Sequence, residues 1–207
     1  MGVLILEIKD LSHGALEQVN MKVEKGDLSM IMGPSGSGKS TLLNLICRME
    51  SFSSGKIMVN GVDIASLDHF DKWRAANIGF IFEENNLIPT LTLHENVELP
   101  MSAAGIDKAK RDERVMGALQ LVGLTGKERL YPKQVDVEEE QRVALARAIA
   151  VEPPIILADE PTGKLSTEQT DRFIELMEGL NKRTGRTFVV ASHDQNWKRI
   201  ASTVLEL

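Results

Sequence analysis

Apolar positions recur along this chain with two periods, one of two residues and one close to 3.6, and together they divide it into strands and helices. Residues 3–8 and 16–23 read as short strands, the second alternating Val19, Met21 and Val23 before a turn at Lys25-Gly26-Asp27. Residues 28–32 form a continuous apolar strand that runs into a glycine-rich loop, and residues 41–49 follow as a helix. Residues 55–60 and 61–64 suggest a hairpin turning at Asn60-Gly61. Another apolar strand is expected at 78–82. Helical spacing covers 92–104, 108–122 and 138–150, with Pro132 breaking the chain between the last two. A buried strand at 155–158, a helix at 167–180 and a strand at 187–192 complete the pattern.

Strands that alternate with helices, with uninterrupted apolar runs in the middle of the chain, imply an α/β fold with a mostly parallel core sheet. The expected architecture is a single domain over 1–207. Residues 1–83 and 151–207 form its α/β core with an antiparallel β subdomain, and residues from about 84 to 150 form an inserted α-helical subdomain. A chain of 207 residues buries a core without covalent staples. Its one cysteine, Cys47, excludes a disulfide framework and a multi-cysteine metal site, and reads as a small apolar core residue. With 30 acidic against 24 basic side chains the net charge is -6, and no basic stripe stands out, so nucleic acid is not an expected partner. No run approaches the roughly 18 apolar residues of a membrane span, and the first ten residues lack a signal peptide's basic start. A soluble, intracellular product is expected.

The glycine-rich loop carries the first chemistry. Gly33-Pro34-Ser35-Gly36-Ser37-Gly38-Lys39-Ser40 fits the pattern G-x-x-x-x-G-K-[ST] between a strand and a helix. Its glycines let successive backbone N–H groups point inward at phosphate oxygens, and the helix start adds partial positive charge. Lys39 is placed to reach the terminal phosphates, and the Ser40 hydroxyl to meet Mg²⁺. Such a site needs an acid at the end of a buried strand, and Ile155-Ile156-Leu157-Ala158-Asp159-Glu160 supplies two. Asp159 would hold Mg²⁺ through water, and Glu160 would orient or deprotonate the attacking water. His193, just past the strand at 187–192, is positioned to touch the γ-phosphate.

Taken together these motifs resemble the ATP-binding subunits of ABC transporters, most closely the lipoprotein-release, macrolide-export and cell-division type. The similarity runs from the phosphate loop with Thr41-Leu42-Leu43-Asn44, through Ile78-Gly79-Phe80-Ile81-Phe82 and Glu95-Asn96-Val97-Glu98-Leu99-Pro100. It continues to Gln141-Arg142-Val143-Ala144-Leu145-Ala146-Arg147-Ala148, Leu157-Ala158-Asp159-Glu160-Pro161-Thr162-Gly163 and Ser192-His193-Asp194. The resemblance implies a P-loop ATPase core and a head-to-tail dimer, in which each ATP lies between one protomer's phosphate loop and the other's signature loop. It also implies Mg²⁺ held by Ser40, Glu83 and Asp159, a separate integral membrane subunit, and a cytoplasmic place on the inner face of the membrane.

The departures from the family pattern are specific. Where the family reads Leu-Ser-Gly-Gly-Gln, this chain has Val135-Asp136-Val137-Glu138-Glu139. Carboxylates there repel a nucleotide's phosphates, and the side chains of Val137 and Glu138 keep the backbone from approaching closely. Asp136 and Glu139 instead have the spacing of a capping box that opens the next helix. Glu83 stands where the family has a glutamine, and Lys164-Leu165-Ser166 replaces its Ala-Leu-Asp contact loop. The segment that normally carries an aromatic ring for adenine is shortened, with His13 as the nearest candidate. Two functions follow from these readings. One is a transporter ATPase subunit with one impaired composite site, in a homodimer or a heterodimer. The other is a nucleotide-binding regulatory or scaffold protein with little intrinsic ATPase. For a membrane partner, the segment 83–99 with the helical subdomain is expected to form a docking groove. Leu87, Ile88, Leu91 and Leu93 serve there as its lining or as core contacts.

Overall fold

In the computed structural model, which describes residues 2–207, the apolar stretches form two sheets with helices packed around them. The first sheet is antiparallel, ordered β2-β1-β4-β5, from β1 (Leu4–His13), β2 (Leu16–Glu24), β4 (Ser54–Val59) and β5 (Val62–Asp63). Leu16, Val19, Met21 and Val23 of β2 turn inward while the intervening polar residues face out, the alternation of a sheet with one dry face. Strand β1 runs five residues past its expected end at Ile8. Asp10 adopts φ 47, the register with β2 shifts between Ile8 and Leu11, and Leu11 returns to the inside, fully buried. Exchanged bonds between Asp10 and Asn20, each 3.1 Å, hold this bulge. The turn expected at Asn60-Gly61 joins β4 to β5, with Val59 opposite Val62.

The second sheet is parallel throughout, ordered β6-β7-β8-β3-β9, from β3 (Leu28–Met32), β6 (Ile78–Ile81), β7 (Ile155–Asp159), β8 (Thr187–Ser192) and β9 (Thr203–Glu206). Strands β3, β6, β7 and β8 read as largely apolar runs because both faces are covered. Ile31, Ile155, Leu157, Val189 and Ala191 point into one core, shared with the antiparallel sheet and helix α1 (Lys39–Ile46). Met30, Ile156, Ala158, Phe188 and Val190 point the other way. There they meet residues of helices α3 (Leu93–Ala103), α4 (Lys108–Leu121), α5 (Val137–Ile149) and α6 (Thr167–Thr184). Cys47 lies buried in the first core, and burial pushes its thiol up to about 12, so it packs as an apolar residue.

Caps set the helix starts. Thr92 with Glu95, Asp136 with Glu139 and Ser166 with Gln169 each close a capping box, and Gly185 at φ 64 ends α6. Two elements escape the periodicity. Helix α2 (Phe70–Asn77) buries only Phe70 and has no side-chain cap. Phe70 holds it, lying 5.7 Å from the Trp73 ring with the Arg48 guanidinium 4.7 Å over its face. Strand β9 lies at the sheet edge, with three of its four residues exposed. It follows β3 far enough that the Leu207 N–H donates to the Met32 carbonyl at 2.8 Å.

Candidate functional site

Four neighbouring parallel strands deliver the site, all from their carboxyl ends. The phosphate loop follows β3, Asp159 and Glu160 close β7, His193 follows β8, and Glu83 follows β6. Loops at this end of a parallel sheet are where α/β folds place ligands. Here they border a cleft of about 680 Å³ lined by Pro34, Ser35, Gly36, Gly38, Lys39, Ser40, Thr41, Glu83, Glu160 and His193, with His13 at its wall.

The loop is tightly built. Gly38 sits at φ 99 just before α1, and a side chain there would also strike Leu16 at 2.8 Å. At Gly33 a Cβ would lie 2.7 Å from the Leu207 carbonyl oxygen, so the loop and the end of β9 pack directly together. Lys39 is only 6% exposed and donates to the carbonyls of Gly33 (2.9 Å) and Pro34 (3.0 Å), folding over its own loop. The buried Ser37 hydroxyl has no partner among the described residues. An orphaned hydroxyl and an ammonium resting on backbone carbonyls are groups that a bound phosphate would satisfy.

The acids are arranged in depth. The Ser40 hydroxyl donates to Asp159 Oδ1 at 2.9 Å. Burial pushes the Asp159 carboxyl up, the Ser40 bond pulls it down, and Glu160 and Glu83 push it up again. A cation at this spot would relieve that crowding, and the oxygen donors of Ser40, Asp159 and Glu83 suit Mg²⁺. Glu160 turns the chain at φ 39, with its N–H on the Ala191 carbonyl at 2.8 Å. Its carboxylate is held on both oxygens. The Ser192 hydroxyl donates to Oε2 at 2.8 Å, while the His193 N–H (3.1 Å) and Nδ1 (2.9 Å) meet Oε1. Ser192 is a positioning residue that the sequence reading missed, although a serine closing an apolar strand beside two acids was its signal.

The signature-position residues lie elsewhere, at the start of α5, outside that cleft. The Asp136 carboxylate accepts from the Glu139 N–H at 2.8 Å, and Glu139 reaches back to the Asp136 N–H at 3.4 Å. Glu139 also pairs with Lys127. Glu138, 7% exposed, turns away from the helix end and takes bonds from Arg142 (2.6 Å) and Arg172 (2.7 Å). Val137 is left 44% exposed. Nothing in the sequence pointed to Arg172, which lies on α6. Lys164, at the altered contact loop, pairs with Glu84, the residue next to Glu83.

The Arg172 bond, aided by Arg142, holds the Glu138 carboxyl below the usual carboxylate range, against the opposing push of burial. A lowered folded-state value means this stabilisation is full above the ordinary glutamate pKa and fades as pH falls through the folded one. At pH 7 the chain should exceed Glu138→Gln in stability by about 1 kcal/mol, discounted because Arg172 is half-exposed. Urea midpoints at pH 7 and pH 3.5 check this: the gap between the two proteins should narrow in acid.

A second concavity of about 530 Å³ opens among Met49, Phe80, Phe82, Pro100, Arg147 and Val151. It is mostly apolar, and the Phe80 and Phe82 rings sit 4.3 Å apart beside it. Leu87, Ile88, Leu91 and Leu93 are not in its wall. Leu93 is wholly buried in the core, Leu87 packs against that core, and Ile88 faces outward. Among the described residues, no helix is long and apolar enough to cross a membrane.

Comparison with known proteins agrees with this geometry. The profile of the family described as ABC transporter matches residues 16–163. The chain is 41% identical over 194 residues to the ABC transporter ATP-binding protein YtrE of Bacillus subtilis, covering 93% of this chain and 84% of that protein. It is 40% identical over 199 residues to the uncharacterized ABC transporter ATP-binding protein MJ0796 of Methanocaldococcus jannaschii, covering 93% and 85%. A dimeric structure of the ATP-binding cassette MJ0796 in a post-hydrolysis state, bound to ADP and Pi, superposes with a TM-score of 0.84. The identity is 36%, over 98% of this chain and 94% of that one.

Proposed function

This chain belongs to the ABC transporter ATP-binding family, and from that premise we propose that it is the ATP-hydrolysing subunit of a transporter whose membrane-spanning part is a separate protein. It carries a complete phosphate-loop half-site and offers its partner a disabled signature half. It binds ATP through the phosphate loop and hydrolyses it. Lys39 leaves the Gly33 and Pro34 carbonyls for the terminal phosphates, and the loop amides and the start of α1 hold the rest of the chain of phosphates. Bound Mg²⁺, held by Ser40 and Asp159 with Glu83 nearby, would neutralise phosphate charge as the bond breaks. Glu160 accepts a proton from, or orients, the attacking water, and Ser192 and His193 fix its carboxylate for the task.

One observation carries the asymmetry. At the α5 start the carboxylates of Asp136 and Glu139 and the outward side chain of Val137 stand where a phosphate would approach. Their charge and bulk turn away a second protomer's nucleotide. Two copies of this chain would make two impaired sites, so the reading favours a partner ATPase subunit with an intact signature. The apolar concavity beside Phe80 and Phe82 is the surface we assign to the membrane subunit, which would hold the chain on the cytoplasmic face.

The test is mixing. Alone, the chain should release phosphate slowly. With an ATPase subunit of the same family that carries Leu-Ser-Gly-Gly-Gln and a glutamine in place of its own catalytic acid, turnover should rise at least tenfold and depend on this chain's Glu160. Full turnover by the chain alone would overturn the asymmetric reading.

A further inference from the structure

A cavity of about 820 Å³ opens at the end of the parallel sheet opposite the catalytic cleft. It lies between α4, the carboxyl ends of α5 and α6, and the residues that lead into β7 and β8. Its volume is that of a small-molecule site. Its charge is opposite to that of the chain. Lys110 and Arg114 reach it from α4, Arg183 from the last turn of α6, and Arg186 from the approach to β8. The carboxylates in its wall are those of Glu113 and Glu152. A chain of net charge -6 thus gathers four cations against two acids in one hollow. Between the cations the wall is apolar, formed by Ala118, Leu121 and Ile149.

Local structure accounts for part of this charge and leaves a remainder. One nitrogen of Arg114 donates to the Val151 carbonyl at 3.4 Å and one of Arg186 to the Ile149 carbonyl at 3.1 Å, which closes the end of α5. Arg183 complements the carboxyl end of α6. Arg114 also faces the Glu152 carboxylate at 3.3 Å. Yet Arg186 Nε is buried without a partner among the described residues. Burial pushes that guanidinium's pKa down, and Glu152 offsets the push only in part. A further anion would complete the compensation. Lys110 and Arg114 stand one helical turn apart, a like-charge pair that costs a helix stability. Neither Lys110 nor Arg183 forms an ion pair among the described residues. A phosphate monoester brings about two negative charges and three acceptor oxygens, which several donors from different elements can share. A lone carboxylate brings one charge and would leave the surplus half matched.

We propose that this cavity is a second ligand site, separate from the nucleotide cleft, which binds a small molecule through a phosphate monoester held by Lys110, Arg114, Arg183 and Arg186. The test titrates the full chain with glycerol phosphate and follows its backbone amide signals by NMR. The amides of Gly117 and Arg186 should shift, with a dissociation constant below about 1 mM. Replacing the two exposed cations together, Lys110→Ala with Arg183→Ala, should weaken binding about tenfold. Lys9→Ala with Lys22→Ala removes the same charge from the antiparallel sheet and should change it less than about twofold. A second arm floats the chain with vesicles of phosphatidic acid in phosphatidylcholine, which present the same ester on a membrane. Vesicle binding without binding of the soluble ester, lost in the Lys110→Ala, Arg183→Ala variant, would support the site and make a lipid its source. Binding of neither probe would overturn the proposal. So would binding that this variant leaves unchanged, or shifts confined to Gly36 and Gly38 in the phosphate loop.

Discussion

Replacing Glu160 with glutamine should cut ATP turnover to about one-thousandth, with ATP affinity changed by no more than a few-fold. Removal of a positioned general base costs about 10² to 10⁴ in rate. The glutamine side chain keeps the same shape, and one oxygen can still accept from the His193 backbone N–H, while its amide group can donate to the Ser192 hydroxyl. The turn at φ 39 depends on backbone, not on charge, so the fold should not notice. What disappears is the negative charge beside the attacking water and, 3.7 Å away, beside Lys39. Lys39 is freed of a competing anion, so binding should hold or improve. Phosphate release under steady state, with the partner subunit present if the chain needs it, and equilibrium nucleotide binding separate the two effects. A loss smaller than tenfold would mean that Glu160 is not the residue that handles water.

Rebuilding the signature, with Leu-Ser-Gly-Gly-Gln in place of residues 135–139, should move activity and stability in opposite directions. Self-stimulated turnover should rise at least tenfold as the helix start becomes open to a second protomer's nucleotide. Stability should fall by about 3 kcal/mol. Serine and glutamine still form a capping box, so the cap itself is largely kept. The loss comes from elsewhere: two glycines enter the first turn of α5, and Arg142 and Arg172 lose the Glu138 carboxylate that both now grip. For a chain of this length that corresponds to a melting temperature lower by about 6–12 °C. Thermal unfolding and ATPase measured on the same preparation test both halves. A restored loop that stays as stable as the original would contradict the view that this segment has been refitted as structure. A loop that gives no turnover would show that the lesion lies elsewhere, with the Lys164–Glu84 pair the next place to look.

Much of this molecule was legible beforehand because its chemistry is local. The parallel strands announce themselves as unbroken apolar runs, the phosphate loop as a spaced motif between a strand and a helix, and the α5 start as Asp136 and Glu139 three residues apart. What stayed hidden depends on residues distant in the chain. Glu138 reads as an acid that repels phosphate until Arg172, 34 positions later, is seen to grip it. Lys164 stood out as a departure, but its partner Glu84, 80 positions earlier, did not. Helix α2 is anchored by Phe70 under Arg48, not by an apolar stripe. Strand β9 borrows its shape from β3 and leaves three of its four residues exposed. Ser192 was visible, but its purpose was not, because a hydroxyl's task is set by what stands across from it.

The contact between β9 and the phosphate loop also decides how the protein can be handled at the bench. The Leu207 backbone lies against Gly33 and bonds to Met32, so a handle or label placed at that residue starts beside the phosphates' seat. An affinity handle there would crowd the cleft's rim and blur every affinity measured with it. An environment-sensitive dye on a short tether at the same position would turn that crowding into a signal, brightening or dimming as nucleotide fills and leaves.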